Sequence, residues 1–159
     1  RTIGTGSSNV IYDMYSAKPG AIDPYQFTPG AVSSGGNQDD GSLGTSEGQR
    51  YNREHSVPRS WFAGNTSVPG TATDYLFIFP SDKYVNGKRG NIPYGEVVTA
   101  SQTFLNGTRI GTSSFAGITG NVFEPVDSFK GDYARAFLNN VNYREILEHI
   151  LEDYKLNTT

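Results

Sequence analysis

The 159-residue chain contains no cysteine and only two histidines. The lack of cysteine disfavours the disulfide-stapled class of small secreted domain, although it leaves export open. Charged residues make up only 18% of the chain and the formal net charge is −3, so the chain is not a basic coat for nucleic acid. A polyanion would have to bind through a local cationic patch or a bridging metal ion. No apolar run is long enough to cross a membrane.

Aromatic residues and glycine, in contrast, are plentiful, with 10 Tyr, 9 Phe and 19 Gly. Combined with 35% hydrophobic residues, this composition favours a loop-rich α+β domain over a helix bundle. Frequent aromatic residues and few charges also argue against disorder. A chain of this length is expected to form a single domain, residues 1–159, with a sizeable core, and a monomer is the simplest expectation.

Hydrophobic patterning predicts the order of the elements. Residues 17–48 are rich in Gly, Pro, Ser and Asp without a hydrophobic period, which predicts a long surface loop. Residues 74–80 form an apolar run ended by proline, which predicts a buried strand, and Ser81 then suits the N-cap of a short helix. From Lys130 onwards the pattern predicts helix. Further predictions are a short helix or buried turn at residues 9–16 and peripheral strands at residues 95–100 and 108–113.

One short stretch gathers the residues needed for phosphodiester cleavage. Residues 51–62, YNREHSVPRSWF, contain the neighbours Glu54 and His55, with Arg53 and Arg59 close by. The reaction needs a base that deprotonates water and positive charge at the phosphate, and imidazole is the side chain that accepts a proton near neutral pH. Neighbouring side chains in an extended segment point to opposite faces, so Glu54 and His55 would address different partners.

A divalent metal ion would complete this chemistry. Mg²⁺ prefers oxygen ligands and keeps several waters, so one carboxylate and one amide oxygen are sufficient protein ligands. Glu54 supplies the carboxylate, and Asn86 is the candidate for the amide, with Lys88 and Arg89 adding positive charge beside it. Structural interpretations stay open: Glu54 pairing with an arginine, the Asn86–Gly87 pair as a turn, and Arg89 bridging helix and loop.

Three separated motifs together resemble the bacterial endonuclease I family, which belongs to the ββα-metal, or His-Me finger, nucleases. They are YNREHSVPRSWF, TDYLFIFPSDKYVNGKRGNIPYGEV and VFEPVDSFKGDYARAF, and the resemblance runs in order over residues 9–138. It implies a ββα-metal core with long loops and peripheral helices. The resemblance also implies that the chain is shortened at both ends relative to the family.

The resemblance implies a bacterial, secreted or periplasmic, non-specific endonuclease that acts on DNA and often on RNA and leaves 5′-phosphate ends. His55 would be the general base, and Glu54 and Asn86 would hold Mg²⁺, with Mn²⁺ or Ca²⁺ as alternatives. Arg89 is favoured as the arginine that stabilises the transition state, ahead of Arg59 and Arg53. Substrate-binding roles are expected for Arg53, Arg59 and Lys88.

Departures from the family pattern motivate alternatives. Phe77 stands where the family carries a polar residue before the proline, and the chain after Leu138 no longer resembles the family. One alternative is therefore a catalytically silent nucleic-acid-binding or surface module that retains the nuclease fold. A lower-ranked alternative is a hydrolase that pairs Glu54 with Asp74 or Glu96. Trp61 and Phe62 are expected in the core rather than stacked on bases, and His149 on a solvated helix face.

Overall fold

The computed structural model describes residues 2–3, 9–62 and 76–140. Within these residues the fold is α+β, as the composition predicts. The elements in chain order are β1 Thr2–Ile3, β2 Val10–Ile11, β3 Tyr51–His55, β4 Ile78–Asp82, α1 Lys83–Arg89, β5 Thr99–Thr103, β6 Arg109–Thr112, β7 Asn121–Glu124 and α2 Asp127–Asn140. Short 3-10 turns lie at Val32–Ser34 and Arg59–Phe62. No helix in the described ranges has the length and apolarity that a bilayer crossing requires.

Strands β3 and β4 form an antiparallel pair, and α1 begins directly after β4. The register runs from Tyr51 opposite Asp82 to His55 opposite Ile78. The side chain of Asp82 accepts hydrogen bonds from the backbone N–H groups of Tyr84 and Val85, so Asp82 is the N-cap of α1. The prediction of Ser81 as the cap is wrong by one residue, because β4 continues through Ser81.

A separate antiparallel sheet has the strand order β5-β6-β7. The strand predicted at residues 108–113 is β6, whereas the one predicted at residues 95–100 begins only at Thr99. The start of the predicted segment lies against β7 instead, since Tyr94 forms a bridge to Phe123 and the N–H of Gly95 donates to the Phe123 carbonyl at 3.1 Å. The two-residue strands β1 and β2 also pair with each other, where the sequence predicts a short helix or turn at residues 9–16. Only the part after β2 forms the buried turn.

The core is dominated by aromatic rings that join α2 to the three-stranded sheet. Tyr15 stacks on Tyr133 of α2, with ring centroids 5.5 Å apart, and contacts Phe123 of β7 at 4.9 Å. Burial of such rings is the main source of stabilisation for a domain of this size. The remaining buried members of this cluster are Met14, Ala17, Val85, Phe104, Ile110 and Phe129.

The predicted loop at residues 17–48 is irregular but anchored. Phe27 is buried and its backbone carbonyl accepts from the N–H of Ile11 at 2.8 Å. Lys83 at the start of α1 donates to Asp39 Oδ1 at 2.8 Å, which ties the loop to the β3–β4 pair. The segment therefore contributes to the framework around β3 rather than lying free on the surface.

Candidate active site

Strand β3 divides its side chains between the interior and the solvent. Glu54 is 2% exposed, His55 is half-buried and Arg53 is exposed. This alternation follows from the pleat, which points successive side chains to opposite faces. The neighbours Glu54 and His55 therefore serve different sides of the strand.

The carboxylate of Glu54 lies in a ring of donors that all bond to one oxygen. Arg89 Nη1 donates to Glu54 Oε1 at 2.5 Å, and the hydroxyl of Tyr15 donates to the same atom at 2.8 Å. The hydroxyl of Tyr94 lies 3.5 Å from Oε1 and 3.0 Å from the Tyr15 hydroxyl. Burial raises the pKa of Glu54 to about 7, although the Arg89 charge and these hydrogen bonds oppose the shift.

Arg89 lies in the interior, where its guanidinium group is 1% exposed. Besides Glu54, it donates to the backbone carbonyls of His55 at 2.9 Å, Ser56 at 2.8 Å and Ile92 at 3.1 Å. Its guanidinium carbon lies 4.5 Å from the centre of the Tyr94 ring. In this arrangement Arg89 bridges α1 to the end of β3, so its donors point to protein acceptors rather than to the solvent side where a phosphate would approach.

Asn86 lies one turn before Arg89 on the same face of α1. Its Nδ2 donates to Asn52 Oδ1 at 2.8 Å and to the backbone carbonyl of Arg53 at 3.1 Å. These bonds occupy the nitrogen of the amide, which leaves the oxygen as its atom for a metal ion. Since residues three apart share a helix face, α1 brings both Asn86 and Arg89 to β3.

The other predicted substrate contacts lie on the outside. Arg53, Arg59 and Lys88 are all exposed, and Lys88 Nζ lies 5.2 Å from the centre of the Tyr84 ring. A cleft of about 1030 Å³ runs along the β3–β4 pair and is lined by Arg53 from β3 and by Arg135 from α2. The cations predicted for substrate binding therefore lie on surfaces open to solvent, whereas Glu54 is buried.

The donor set can be compared with the metal that the sequence suggests. No group of three or more His, Asp or Glu side chains that could enclose a metal is found in residues 2–3, 9–62 and 76–140. A carboxylate oxygen from Glu54 and an amide oxygen from Asn86 would leave most of the coordination shell to water. This donor set fits Mg²⁺, which keeps several waters and accepts few protein ligands.

Two contacts were missed from the sequence, those of Tyr15 and Tyr94 with Glu54. Tyr15 lies 39 residues before Glu54 and Tyr94 lies 40 residues after it. The signal available was the prediction of a short helix or buried turn at residues 9–16, a stretch that contains Tyr15. A hydroxyl aimed at a distant carboxylate leaves no local pattern in the sequence.

The sequence also led to expectations for aromatic and acidic residues outside the Glu54 cluster, which can be compared with the structure. Trp61 is 48% exposed, so its assignment to the core is wrong; its ring contacts Phe137 of α2 edge-on, at the margin of the fold. Phe77 is buried, and its backbone carbonyl accepts from the N–H of Ser56 at 3.0 Å. Glu96 is exposed and Glu54 is paired with Arg89, which does not favour the alternative with paired carboxylates. Asp74, His149 and the side chain of Phe62 lie outside the described residues.

The family model for Endonuclease I matches residues 2–150. Such a match over nearly the whole chain defines a nuclease, a hydrolase whose substrate is nucleic acid. The chain belongs to the endonuclease I family, which confirms the resemblance seen in the three motifs. No curated protein and no solved structure gives a significant match. The alternative of a silent module is not favoured by this membership.

Proposed function

We propose that this nuclease is a secreted or periplasmic endonuclease that hydrolyses phosphodiester bonds of DNA, and also of RNA, without sequence preference. One divalent cation, held by Glu54 and Asn86, and His55 as general base would carry the reaction to 5′-phosphate ends. The observation that supports this most is the hydrogen bond from Asn86 Nδ2 to the Arg53 carbonyl. It joins α1 to β3 at the residue before Glu54, as a shared carboxylate–amide site requires.

Glu54 and Asn86 would hold Mg²⁺ through oxygen atoms, and Mn²⁺ or Ca²⁺ would accept the same donors. When bound, such a cation neutralises charge on the scissile phosphate and on the leaving 3′-oxygen. Glu54 is suited to this because its other oxygen is already bonded to Arg89 and Tyr15. The arrangement of the β3–β4 pair followed by α1 is the order that a ββα-metal core needs.

His55 would take the proton from the attacking water. Its backbone carbonyl accepts from Arg89 Nη1, which fixes the chain at the point where the imidazole leaves the strand. The half-buried side chain lies on the opposite face of β3 from Glu54, so water can approach it from solvent. The base and the metal ligand would thus act on different atoms of the same phosphodiester.

Arg53 is now the better candidate than Arg89 for contact with phosphate. It is exposed, it shares the face of β3 with His55, and it lines the cleft along the β3–β4 pair. Arg59 and Lys88, which are also exposed, would add contacts to the sugar–phosphate backbone. Binding through phosphates carries no sequence information, which agrees with non-specific cleavage.

The test is nicking of supercoiled plasmid by the purified monomer, with Mg²⁺ or with EDTA, together with Mn²⁺ binding to the metal-stripped protein. His55→Ala should lower the nicking rate by about 10²–10⁴-fold while Mn²⁺ affinity stays within about twofold. Glu54→Gln, which keeps an acceptor for Arg89, should lose both. Equal loss of metal binding in the two variants would contradict the separate roles. A folded wild type that nicks with none of Mg²⁺, Mn²⁺ and Ca²⁺ would favour the silent module.

A further inference from the structure

The donors around Glu54 are distributed unevenly between its two oxygens. Within the part of the chain that the structure describes, the bonds from Arg89 and Tyr15 and the contact from Tyr94 all reach Oε1, and none of them reaches Oε2. A carboxylate that is fixed through one oxygen cannot rotate about its terminal torsion without breaking those bonds. The second oxygen therefore has a defined direction.

The hydroxyl of Tyr15 is itself held in place. The side chain is fully buried, and its ring packs between Tyr133 and Phe123. Its backbone N–H donates to Asp13 Oδ1 at 2.8 Å, which fixes the main chain of the same residue. Because ring and backbone are both fixed, the hydroxyl has little freedom to leave Glu54.

Building on the proposed function, we infer that Tyr15 is a positioning residue for Glu54: it holds Oε1 so that Oε2 is the oxygen offered to the divalent cation. Partners that orient a metal ligand commonly change metal affinity or activity by about 10–100-fold when they are removed. A neutral hydroxyl can orient the carboxylate without adding a positive charge that would repel the cation. Tyr15 therefore complements Arg89, which also orients Glu54 but carries such a charge.

Tyr15 is also the partner that can be tested cleanly. Loss of Arg89 would release the carbonyls of His55 and Ser56 as well, so its effects on folding and on the metal would be mixed. Tyr15→Phe removes a single oxygen and keeps the ring. Tyr133→Phe is the matched control, because its hydroxyl is buried in the same cluster and has no hydrogen-bond partner within residues 2–3, 9–62 and 76–140.

The experiment measures Mn²⁺ binding to metal-stripped protein by calorimetry, urea unfolding in EDTA, and plasmid nicking as a function of Mg²⁺ concentration. Tyr15→Phe should bind Mn²⁺ about tenfold more weakly and should regain nicking as Mg²⁺ is raised. Tyr94→Phe loses the longer contact to Oε1 and the contact with the Tyr15 hydroxyl, so its change should be smaller than that of Tyr15→Phe but larger than that of Tyr133→Phe. Tyr133→Phe should stay within about twofold of wild type.

Unchanged Mn²⁺ affinity in Tyr15→Phe, or an equal loss in Tyr133→Phe, would overturn the inference, since either outcome means that the hydroxyl acts only on the fold. If Tyr15→Phe does not fold, the Mn²⁺ affinities of Tyr94→Phe and Tyr133→Phe are compared instead. Equal affinities in these two variants would overturn the inference. Failure of the proposed function has a different signature. In that case the wild type itself neither binds Mn²⁺ nor nicks plasmid.

Discussion

The two faces of β3 place polar and charged side chains in opposite environments, one buried and the other open to solvent. On the inner face, Glu54 and Arg89 form an ion pair with both side chains almost fully buried. On the outer face, Arg53 is exposed and His55 is half-buried. One five-residue strand thus separates a buried charge pair from side chains that are open to solvent.

The physical difference lies in solvation. A buried ion pair has given up its hydration, so each charge depends on its partner and on further hydrogen bonds. The four hydrogen bonds from Arg89 to Glu54 and to backbone carbonyls supply this compensation. An exposed arginine such as Arg53 keeps its water, and its interactions are weakened by salt. Removing the charge should therefore affect folding on one face and substrate binding on the other.

The comparison is tested most strongly by replacing each arginine with methionine. Arg89→Met leaves Glu54 buried without its cation, so the free energy of unfolding should fall by about 3–5 kcal/mol. Arg53→Met should change it by less than about 0.5 kcal/mol, because the side chain is exposed. Urea unfolding of the metal-free proteins measures both values. Similar costs for the two variants would contradict the division between the faces.

A second test compares carboxyl groups, using the pH dependence of stability. Burial raises the pKa of Asp13 to about 7, from about 3.8, whereas a hydrogen bond from Lys83 lowers the pKa of Asp39. The Asp13 carboxyl group holds its proton more strongly in the folded protein than in the unfolded chain. Its contribution to the free energy of unfolding is therefore complete below about pH 4 and is lost as the pH rises to about 7. The loss is at most roughly 4 kcal/mol, at about 1.4 kcal/mol per pKa unit.

The contribution of Asp39 has the opposite sign. Its pKa is lowered on folding, so its stabilisation is present above the unfolded pKa and is lost as pH falls below it. The difference in unfolding free energy between wild type and Asp13→Asn should therefore decrease between about pH 4 and pH 7. The same difference for Asp39→Asn should decrease only towards acid pH. Parallel curves for wild type and Asp13→Asn would show that this carboxyl does not titrate on folding.

The sequence was sufficient for the features that local patterns encode. The α+β class followed from composition, the start of α1 was predicted to within one residue, and three motifs identified the family. The alternation between Glu54 and His55 also followed from the extended geometry of β3. These features depend on neighbouring residues, which is the information that a single sequence contains.

Features that depend on distant contacts could not be predicted. The sequence left Arg89 with two interpretations, phosphate contact or structural bridge, and no local pattern reveals its hydrogen bonds to Glu54 and to the carbonyls of β3. Its burial depends on Glu54, 35 residues earlier, and on carbonyls that no pattern marks. Tyr15 was missed for the same reason. Trp61 was misplaced because an aromatic residue is equally compatible with the core and with the edge of a fold.

The smallest expected effect concerns substrate binding at the outer face. The measurement uses a His55→Ala background, in which turnover is suppressed. There, Arg53→Met should weaken DNA binding modestly. It should also reduce the slope of log affinity against log salt concentration by about 0.9, which is the value for one lost phosphate contact on duplex DNA. Arg135→Met is the matched control, because Arg135 lines the same cleft but is paired with Asp132 at 2.6 Å. Its salt slope should stay close to that of the parent. An unchanged slope in Arg53→Met would exclude Arg53 from the phosphate contacts, and the same test would then pass to the exposed residues Arg59 and Lys88.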